Sequence, residues 1–187
     1  MIKAIISDFD GTIVDTFEAN LKAYQQAFSQ VGLILQREDY EKCFGYRFDQ
    51  FMNIMGVVDE EISTKIKEIK TNCYPCYFSL LKLNKPLIEF IKSWHLSGFK
   101  TALASTARRD NVLKILDHFK IMNVFDIVYT GYDVINGKPS PEIYLKSIDA
   151  LGVKADEVLI FEDSSVGIDA AKASGAYCMI VDSRQFE

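Results

Sequence analysis

The sequence predicts an α/β fold in which a doubly wound parallel sheet carries an all-helical insertion after its first strand. Two observations support this prediction. Short apolar runs near the N-terminus and between residues 100 and 181 alternate with stretches of helical periodicity, as strands and helices alternate in a parallel sheet. From residue 16 to residue 84, only the helical periodicity is found. We therefore expect an α/β core formed by residues 1–15 and 85–187, and a helical domain formed by residues 16–84.

Length and composition are those of a globular protein. The 187 residues, of which 49% are apolar, suffice for one full core and a modest insertion. The net charge of −5 offers no basic surface for nucleic acid. No apolar run approaches the roughly 18 residues of a membrane span, and no secretory leader precedes the first strand. These features predict a cytoplasmic protein that binds neither nucleic acid nor a membrane.

The first predicted strand ends in two carboxylates. An isoleucine-rich run over residues 2–6 precedes Asp8 and Asp10, and Gly11 and Thr12 follow. Such a run fits a strand buried on both faces, and ligands of open α/β sheets bind just beyond the carboxyl ends of the strands. Neighbouring acids repel unless a cation lies between them or they share a proton. The stretch therefore indicates a ligand site or, alternatively, a solvated acidic turn.

Apolar residues spaced three and four apart predict the helices. In the insertion, one such stripe runs from Phe17 to Val31 and stops at Gly32. A later helix opens at Asn84, with Pro86 where an early helical turn tolerates it. Further helices are expected over residues 112–119, 141–151 and 164–174.

Four of the five predicted strands end in, or lead into, residues that could bind phosphate or metal. Besides the first strand, these are residues 100–106, ending in Ser105 and Thr106, residues 125–130, followed by Lys138, and residues 158–163, ending in Glu162 and Asp163. Mg²⁺ prefers carboxylate and carbonyl oxygens, whereas hydroxyl and lysine groups bind an anion. Together these groups predict a phosphoryl-transfer site, provided that the first and fourth strands are adjacent.

Each of these residues has a structural alternative when it is taken alone. Lys138 could be a surface lysine, and Ser105 could cap a helix. Glu162 and Asp163 could favour the positive end of the helix that follows them. Their joint occurrence at successive strand ends favours the functional interpretation.

Cys73 and Cys76 form a C-x-x-C pair, which can indicate a redox or zinc site. The pair lies in a helical region without a preceding βαβ pattern, and both histidines, His95 and His118, are distant in sequence. We therefore expect ordinary apolar packing.

The strand-end motifs resemble, in order, the four motifs of the haloacid dehalogenase superfamily. They are residues 8–16 (DFDGTIVDT), Ser105, Lys138 within residues 137–142 (GKPSPE), and residues 161–164 (FEDS). The resemblance covers nearly the whole chain outside residues 16–84. It implies a Rossmann-like core with a helical cap, as in phosphoglycolate-phosphatase-like and β-phosphoglucomutase-like enzymes.

The resemblance implies a role for each motif residue. Asp8 would attack phosphorus and carry an aspartyl-phosphate. Asp10 would protonate the leaving group and then activate water. Ser105, Thr106 and Lys138 would hold the phosphoryl oxygens.

The same resemblance implies Mg²⁺ as the cofactor. The ion would be held by Asp8, by the backbone carbonyl of Asp10 and by Asp163, with Glu162 beside it or reaching it through water. The substrate would be a small phosphorylated metabolite chosen by the cap. Oligomeric state has no signature in the sequence. The cap residues that could contact substrate are Gly45, Tyr46, Arg47 and Lys70.

Three functions are compatible with this resemblance, namely those of a phosphatase, a phosphosugar mutase and a non-catalytic binding protein. Asp10 argues against a dehalogenase, because a halide leaving group needs no proton. A phosphatase is favoured over a β-phosphoglucomutase-like mutase because Asn20 stands where those mutases carry a histidine, and Thr12 where they tend to carry an aliphatic residue. A non-catalytic binding protein on the same fold is the third alternative.

Overall fold

The computed structural model describes residues 1–182 and 186. The chain forms two compact units. The core unit consists of residues 1–15 and the chain from residue 82 onward, and the helical unit consists of residues 16–81. The division predicted from the sequence differs from this one only in placing the return to the core after residue 84. A role of the helical unit as a cap stays a prediction.

Seven strands are found in the described part of the chain. They are β1 (Ala4–Ser7), β2 (Val14–Asp15), β3 (Lys82–Leu83), β4 (Lys100–Ala104), β5 (Ile127–Tyr129), β6 (Val158–Glu162) and β7 (Tyr177–Ile180). Five of them form one sheet in the order β5-β4-β1-β6-β7, and every pair in it is parallel. The predicted doubly wound sheet is therefore confirmed, and the first and fourth predicted strands, β1 and β6, are neighbours.

Eight α-helices are described, four in each unit. They are α1 (Phe17–Gln30), α2 (Arg37–Cys43), α3 (Phe48–Ile54), α4 (Glu60–Cys73), α5 (Lys85–Leu96), α6 (Arg109–His118), α7 (Glu142–Leu151) and α8 (Ser165–Ala173). Short 3₁₀ helices follow α4 at Tyr74–Leu80, precede β5 at Met122–Val124 and precede β6 at Ala155–Glu157. None of the described helices is long and apolar enough to cross a membrane.

The core unit buries both faces of its central strand. Alternate residues of β1 point to opposite sides of the sheet, and Ile6 packs in a cluster with Ile143 of α7 and Ala170 of α8. On the other face, Phe90 of α5 contacts the ring of Phe161 in β6 at 5.9 Å between centroids. Helices thus cover both sides of the sheet, which leaves its carboxyl edge for polar residues.

The helical unit is built on aromatic side chains. Phe51 of α3 contacts Tyr24 and Phe28 of α1 and Tyr40 of α2, with ring centroids 5.0 to 5.9 Å apart. These rings and their aliphatic neighbours form a separate apolar cluster. The helical unit therefore has a hydrophobic core of its own.

The cysteines of this unit are free thiols in different surroundings. Cys73 is buried at the end of α4, with its Sγ 3.6 Å from the carbonyl oxygen of Ala23. Cys76, in the following 3₁₀ helix, is exposed. Apolar packing, the expected role, accounts for Cys73 but not for Cys76.

The sequence did not predict the two-residue antiparallel pair of β2 and β3. Val14 lies opposite Leu83, and Asp15 opposite Lys82. Runs this short carry no periodicity, and Lys82 and Leu83 fell within the block expected to be helical. Both strands belong to the core unit. Their pairing joins the segment that leads into the helical unit to the segment that returns from it.

Asn84, directly after β3, links the returning chain to the loop that follows β1. Its side chain is fully buried. Its Oδ1 accepts a hydrogen bond from the backbone N–H of Leu87 at 3.2 Å, and its Nδ2 donates to the carbonyl oxygen of Thr12 at 3.1 Å. One amide therefore caps α5 and fixes the loop that follows the first strand.

We expect Asn84→Ala to lower the free energy of unfolding of the core unit by about 1–3 kcal/mol, because it removes a helix cap and leaves a buried carbonyl without its donor. Urea denaturation followed by circular dichroism measures the change. Asn123→Ala, at an exposed position of the same unit, is the control and should change stability by less than about 0.5 kcal/mol. Equal effects of the two substitutions would contradict this account of Asn84.

Candidate active site

The polar residues predicted at the strand ends converge at the carboxyl edge of the sheet. Asp8 follows β1, Ser105 follows β4 and Glu162 ends β6. Because these three strands are adjacent and parallel, their carboxyl ends lie at one edge. Lys138, in the segment between β5 and α7, reaches the same place.

Lys138 is the cation at the centre of this site. Its side chain is only 4% exposed, and its Nζ donates to Asp8 Oδ1 and to Glu162 Oε1, each at 2.5 Å. The alternative of a surface lysine is therefore wrong. The ammonium group holds together two carboxylates that come from different strands.

Burial and the charge of the partner have opposite effects on the pKa values of Lys138 and Asp8. Burial alone would lower the pKa of Lys138, but the neighbouring Asp8 and Glu162 carboxylates raise it well above its ordinary value. Burial raises the pKa of Asp8 well above its ordinary value, Lys138 opposes this rise, and the carboxylates of Glu162 and Asp163 add to it. The lysine therefore stays protonated and favours the charged form of Asp8.

Glu162 is fully buried and accepts from several donors. Its Oε1 accepts from Lys138 and, at 2.9 Å, from the Tyr144 hydroxyl. Its Oε2 accepts from the backbone N–H groups of Asp163 and Ser164 at 2.9 and 3.0 Å, and from the Ser164 hydroxyl at 3.1 Å. The bonds to Asp163 and Ser164 lie at the start of α8, so Glu162 also plays the helix-end role considered as its alternative.

Asp163 lies beside this network. Its Oδ1 accepts from the Thr12 hydroxyl at 2.9 Å. Burial raises its pKa to about 6, the Glu162 carboxylate contributes to the rise, and the Thr12 hydrogen bond opposes it. A Cβ atom at Gly11 would overlap the Asp163 carboxylate. The glycine of the first motif thus leaves room for the acid of the fourth.

The donor set suits a hard divalent cation. Asp8, Glu162 and Asp163 each offer a carboxylate oxygen, and these atoms lie within 4.8 Å of one another. Clustered carboxylates are the ligands that Mg²⁺ prefers. The Asp10 carboxylate is not in this group, and the resemblance to known enzymes assigns the carbonyl of that residue, not its carboxylate, to the metal.

Ser105 and Asp10 meet at the same edge. The Ser105 hydroxyl lies 3.4 Å from Asp10 Oδ2, to which it donates, and it accepts from the backbone N–H of Ala107 at 3.1 Å. The second bond closes a local serine turn, and it is not the helix cap considered as the alternative for Ser105, because α6 begins only at Arg109. Thr106 is half-buried, and a Cβ atom at Gly131 would overlap its carbonyl oxygen.

The segment that carries Lys138 is held by Glu142. The carboxylate of Glu142 accepts from the backbone N–H groups of Ile135 and Asn136 at 2.7 and 2.8 Å, and from Asn136 Nδ2 at 2.9 Å. These bonds lower the pKa of Glu142. The peptide bond between Lys138 and Pro139 is cis. The first turn of α7 thus fixes the backbone just before the lysine.

The four residues predicted to contact substrate from the helical unit differ in burial. Gly45 and Tyr46 are exposed between α2 and α3, and Arg47 is half-buried at the start of α3. Lys70 is 5% exposed, with its Nζ 3.7 Å from the centre of the Tyr74 ring. Lys70 is therefore not a solvated surface lysine. Contact with substrate stays a prediction for all four.

Tyr144 and Glu142 were not predicted as part of the site. Tyr144 occupies an apolar position of α7, so its pattern is that of a core residue. Its one sequence signal is chemical, since a phenol at a fully buried position needs a hydrogen-bond partner. Glu142 belongs to the first turn of a helix, where an acid is common for reasons unrelated to function.

Known proteins with related sequences and structures are found over nearly the whole chain. A family model described as haloacid dehalogenase-like hydrolase matches residues 5–181. A phosphorylated carbohydrates phosphatase from Thermotoga maritima is 31% identical over 93% of this chain and 82% of its own length.

Two solved structures agree with this match. β-Phosphoglucomutase from Clostridium difficile superposes with a TM-score of 0.83 at 26% identity, covering 97% of this chain and 85% of that one. CbbY from Rhodobacter sphaeroides, solved in complex with phosphate, has a TM-score of 0.86 at 25% identity, covering 96% of this chain and 86% of that one.

The Glu142 contacts predict a pH-dependent contribution to stability. Its pKa is lower in the folded than in the unfolded chain, so the carboxylate stabilises the fold above the unfolded pKa and ceases to do so as the pH falls through the folded pKa. We expect Glu142→Gln to be less stable than the wild type at pH 7, with a difference that shrinks towards pH 3.5. Urea denaturation at several pH values measures this.

Glu89→Gln, on the exposed side of α5, is the matched control and should show little difference from the wild type at neutral pH. A Glu142→Gln difference that stayed constant across the pH range would contradict the proposed charge interaction.

Proposed function

Because the chain belongs to the haloacid dehalogenase-like hydrolase family, in which one relative is a phosphatase of phosphorylated carbohydrates, we propose that it hydrolyses a small phosphomonoester with Mg²⁺ through a covalent aspartyl-phosphate. The protein is a hydrolase that acts on phosphate esters. The covalent intermediate, the metal and the substrate class are the parts that we propose.

One observation carries the proposal. A buried lysine ammonium lies 2.5 Å from a carboxylate oxygen at the end of the central strand, with two further acids of the neighbouring strand end beside it. A nucleophile for phosphorus, a cation for phosphoryl oxygens and an oxygen-rich metal site are thereby gathered at one point. A binding protein has no need of all three.

In the first step, a carboxylate oxygen of Asp8 attacks phosphorus and the bond from phosphorus to the ester oxygen breaks. Asp10 gives its proton to the departing alkoxide, which leaves as an alcohol. Lys138 and the Ser105 hydroxyl hold the phosphoryl oxygens, with Thr106 beside them. The Ser105 hydroxyl has one proton, which it donates to Asp10 Oδ2 at 3.4 Å before substrate binds and turns to a phosphoryl oxygen afterwards.

In the second step, Asp10 takes a proton from a water molecule, and the oxygen of the resulting hydroxide attacks phosphorus. The bond between Asp8 and phosphorus breaks, inorganic phosphate leaves, and both aspartates return to their starting states. Lys138 neutralises Asp8 as its negative charge reappears. Asp8 and Asp10 therefore serve both halves of the reaction.

Asp8 and Asp163 would hold Mg²⁺, with the Asp10 carbonyl and with Glu162 nearby. When bound, the ion would neutralise charge on the phosphoryl oxygens and orient the phosphate for in-line attack. Thr12 would contribute by fixing Oδ1 of Asp163 with a hydrogen bond of 2.9 Å.

A phosphorylated sugar is the substrate class that we favour. The Thermotoga maritima relative is a phosphatase of phosphorylated carbohydrates. Gly45, Tyr46, Arg47 and Lys70 are the proposed contacts from the helical unit, acting as a cap. Exclusion of water by a closing cap would protect the intermediate until the alcohol has left.

Substitution of Asp8 and substitution of Asp10 should have different effects on turnover and on the phosphoenzyme. Asp8→Asn should abolish turnover and any acid-stable, hydroxylamine-sensitive phosphoenzyme, because the amide is a poor nucleophile. Asp10→Asn should keep the nucleophile but slow turnover about 10²–10⁴-fold, the usual contribution of proton transfer. Rapid acid quench after mixing with ³²P-labelled sugar phosphate, followed by peptide mapping, measures both.

Asp156→Asn, at an exposed acid of the core unit, is the matched control and should retain full activity. In the wild type, EDTA should stop turnover and added Mg²⁺ should restore it. Full turnover in EDTA, or a phosphoenzyme on the same peptide of the Asp8 variant, would count against the proposed chemistry.

A phosphosugar mutase is the second candidate, favoured by the similarity to β-phosphoglucomutase. Both activities begin with the same aspartyl-phosphate, and they differ in whether water or a sugar hydroxyl attacks it next. Asn20, on α1, cannot relay a proton near neutral pH as the histidine of such mutases does. We therefore place the phosphatase first.

Phosphorus NMR distinguishes the two activities. The protein is given Mg²⁺ and β-glucose 1-phosphate with a trace of the bisphosphate, and separately other small sugar phosphates. We expect inorganic phosphate to accumulate from at least one ester, because water reaches the phosphoenzyme. Stoichiometric glucose 6-phosphate with almost no free phosphate would establish the mutase instead.

A further inference from the structure

Tyr144 touches two charged groups of the site without belonging to any of its four motifs. It is fully buried on α7. Its hydroxyl donates to Glu162 Oε1 at 2.9 Å, and the Nζ of Lys138 lies 4.9 Å from the centre of its ring. One side chain therefore contacts both partners of the ion pair between Lys138 and Glu162.

The Tyr144 hydroxyl shares its acceptor with the lysine. Glu162 Oε1 accepts from Lys138 at 2.5 Å and from the phenol, while Oε2 is held by donors at the start of α8. With donors on both oxygens, the carboxylate has one orientation in which all of them are satisfied. That orientation directs Oε1 towards Lys138.

The ring of Tyr144 acts on the lysine directly. An aromatic face attracts an ammonium group at this distance, and the attraction is larger where water is excluded. The Lys138 side chain is only 4% exposed. The ammonium is thus placed by two carboxylates and one aromatic face, and not by the length of its own flexible chain.

Building on the proposed function, we propose that Tyr144 is a positioning residue for phosphoryl transfer. Its hydroxyl orients Glu162, and Glu162 and the ring together hold the Lys138 ammonium beside Asp8, where the phosphoryl oxygens bind. Tyr144 touches neither Asp8 nor the substrate in this account. Its effect on the reaction passes through the lysine.

A purely apolar role for Tyr144 predicts a different outcome. A phenylalanine fills the same space and keeps the aromatic face, so Tyr144→Phe removes only the hydroxyl and its bond to Glu162. If the residue served packing alone, Tyr144→Phe would be neutral at the site. Tyr129→Phe is the matched control, because Lys146 Nζ also lies 4.9 Å from the Tyr129 ring, in the same unit but paired with neither Asp8 nor Glu162.

The first measurement needs neither metal nor turnover. In protein labelled with ¹⁵N-lysine, a buried and hydrogen-bonded ammonium exchanges its protons slowly enough to be observed, and loss of a signal in Lys138→Met assigns it. We expect Tyr144→Phe to shift or broaden the Lys138 signal and Tyr129→Phe to leave it unchanged. Lys70, buried in the helical unit, provides an internal reference.

The second measurement is binding of inorganic phosphate, as competitive inhibition of p-nitrophenyl phosphate hydrolysis in Mg²⁺. A misplaced lysine weakens phosphate binding as well as turnover, and we expect the inhibition constant to rise about 10-fold or more, the effect of losing a hydrogen bond to a charged group. A variant that is merely less well folded loses turnover without a change in the inhibition constant.

The outcomes separate the two proposals. A folded Tyr144→Phe variant with an unchanged Lys138 signal and unchanged phosphate inhibition overturns the positioning role. A wild type that hydrolyses no phosphate ester contradicts the proposed function, while the NMR comparison still decides the role of Tyr144. If Tyr144→Phe does not fold, the wild type decides: a slowly exchanging Tyr144 hydroxyl proton with a nuclear Overhauser effect to Lys138 supports the role, and its absence overturns it.

Discussion

The ion pair network around Lys138 is the interaction on which the site depends. Three carboxylates, those of Asp8, Glu162 and Asp163, are gathered within 4.8 Å, and such groups repel one another and resist ionisation away from water. The buried ammonium offsets this repulsion for the two that it contacts. Removing one partner of a buried pair leaves an uncompensated charge, which is far more costly than never having formed the pair. The lysine and its acids are therefore required together.

The network also constrains the backbone. Glu162 and Asp8 can share one lysine because β1 and β6 are paired in register, with Ser7 opposite Phe161. A slip of one residue would turn the side chains of β6 to the other face of the sheet. Space is just as restricted, since a Cβ atom at Gly167 would overlap the Glu162 carboxylate. The chemistry of the site thus depends on register and on glycine as much as on charged residues.

Most of this arrangement follows from local patterns in the sequence. Parallel strands with polar ends predict which residues meet, and Asp8, Lys138, Glu162 and Asp163 are brought together as that rule requires. Tyr144 could not be predicted in the same way, because its bond to Glu162 depends on how α7 packs on β4, β5 and β1 and not on any spacing in the chain. The strands β2 and β3 are too short for a periodic pattern, and the exposure of Cys76 has no signature in its neighbours.

The pairing of β2 with β3 has a consequence for how such a protein can change. Asp15, the last core residue before the helical unit, lies opposite Lys82, the first one after it. Residues 16–81 form a long insertion whose two ends are joined by the pairing of β2 with β3. A change in the length of this insertion therefore has little effect on the entropy cost of forming the five-stranded sheet. Insertions, deletions or exchange of that segment can therefore accumulate without disturbing strand register. The reaction centre of the core unit can stay the same while the inserted segment changes in length and sequence.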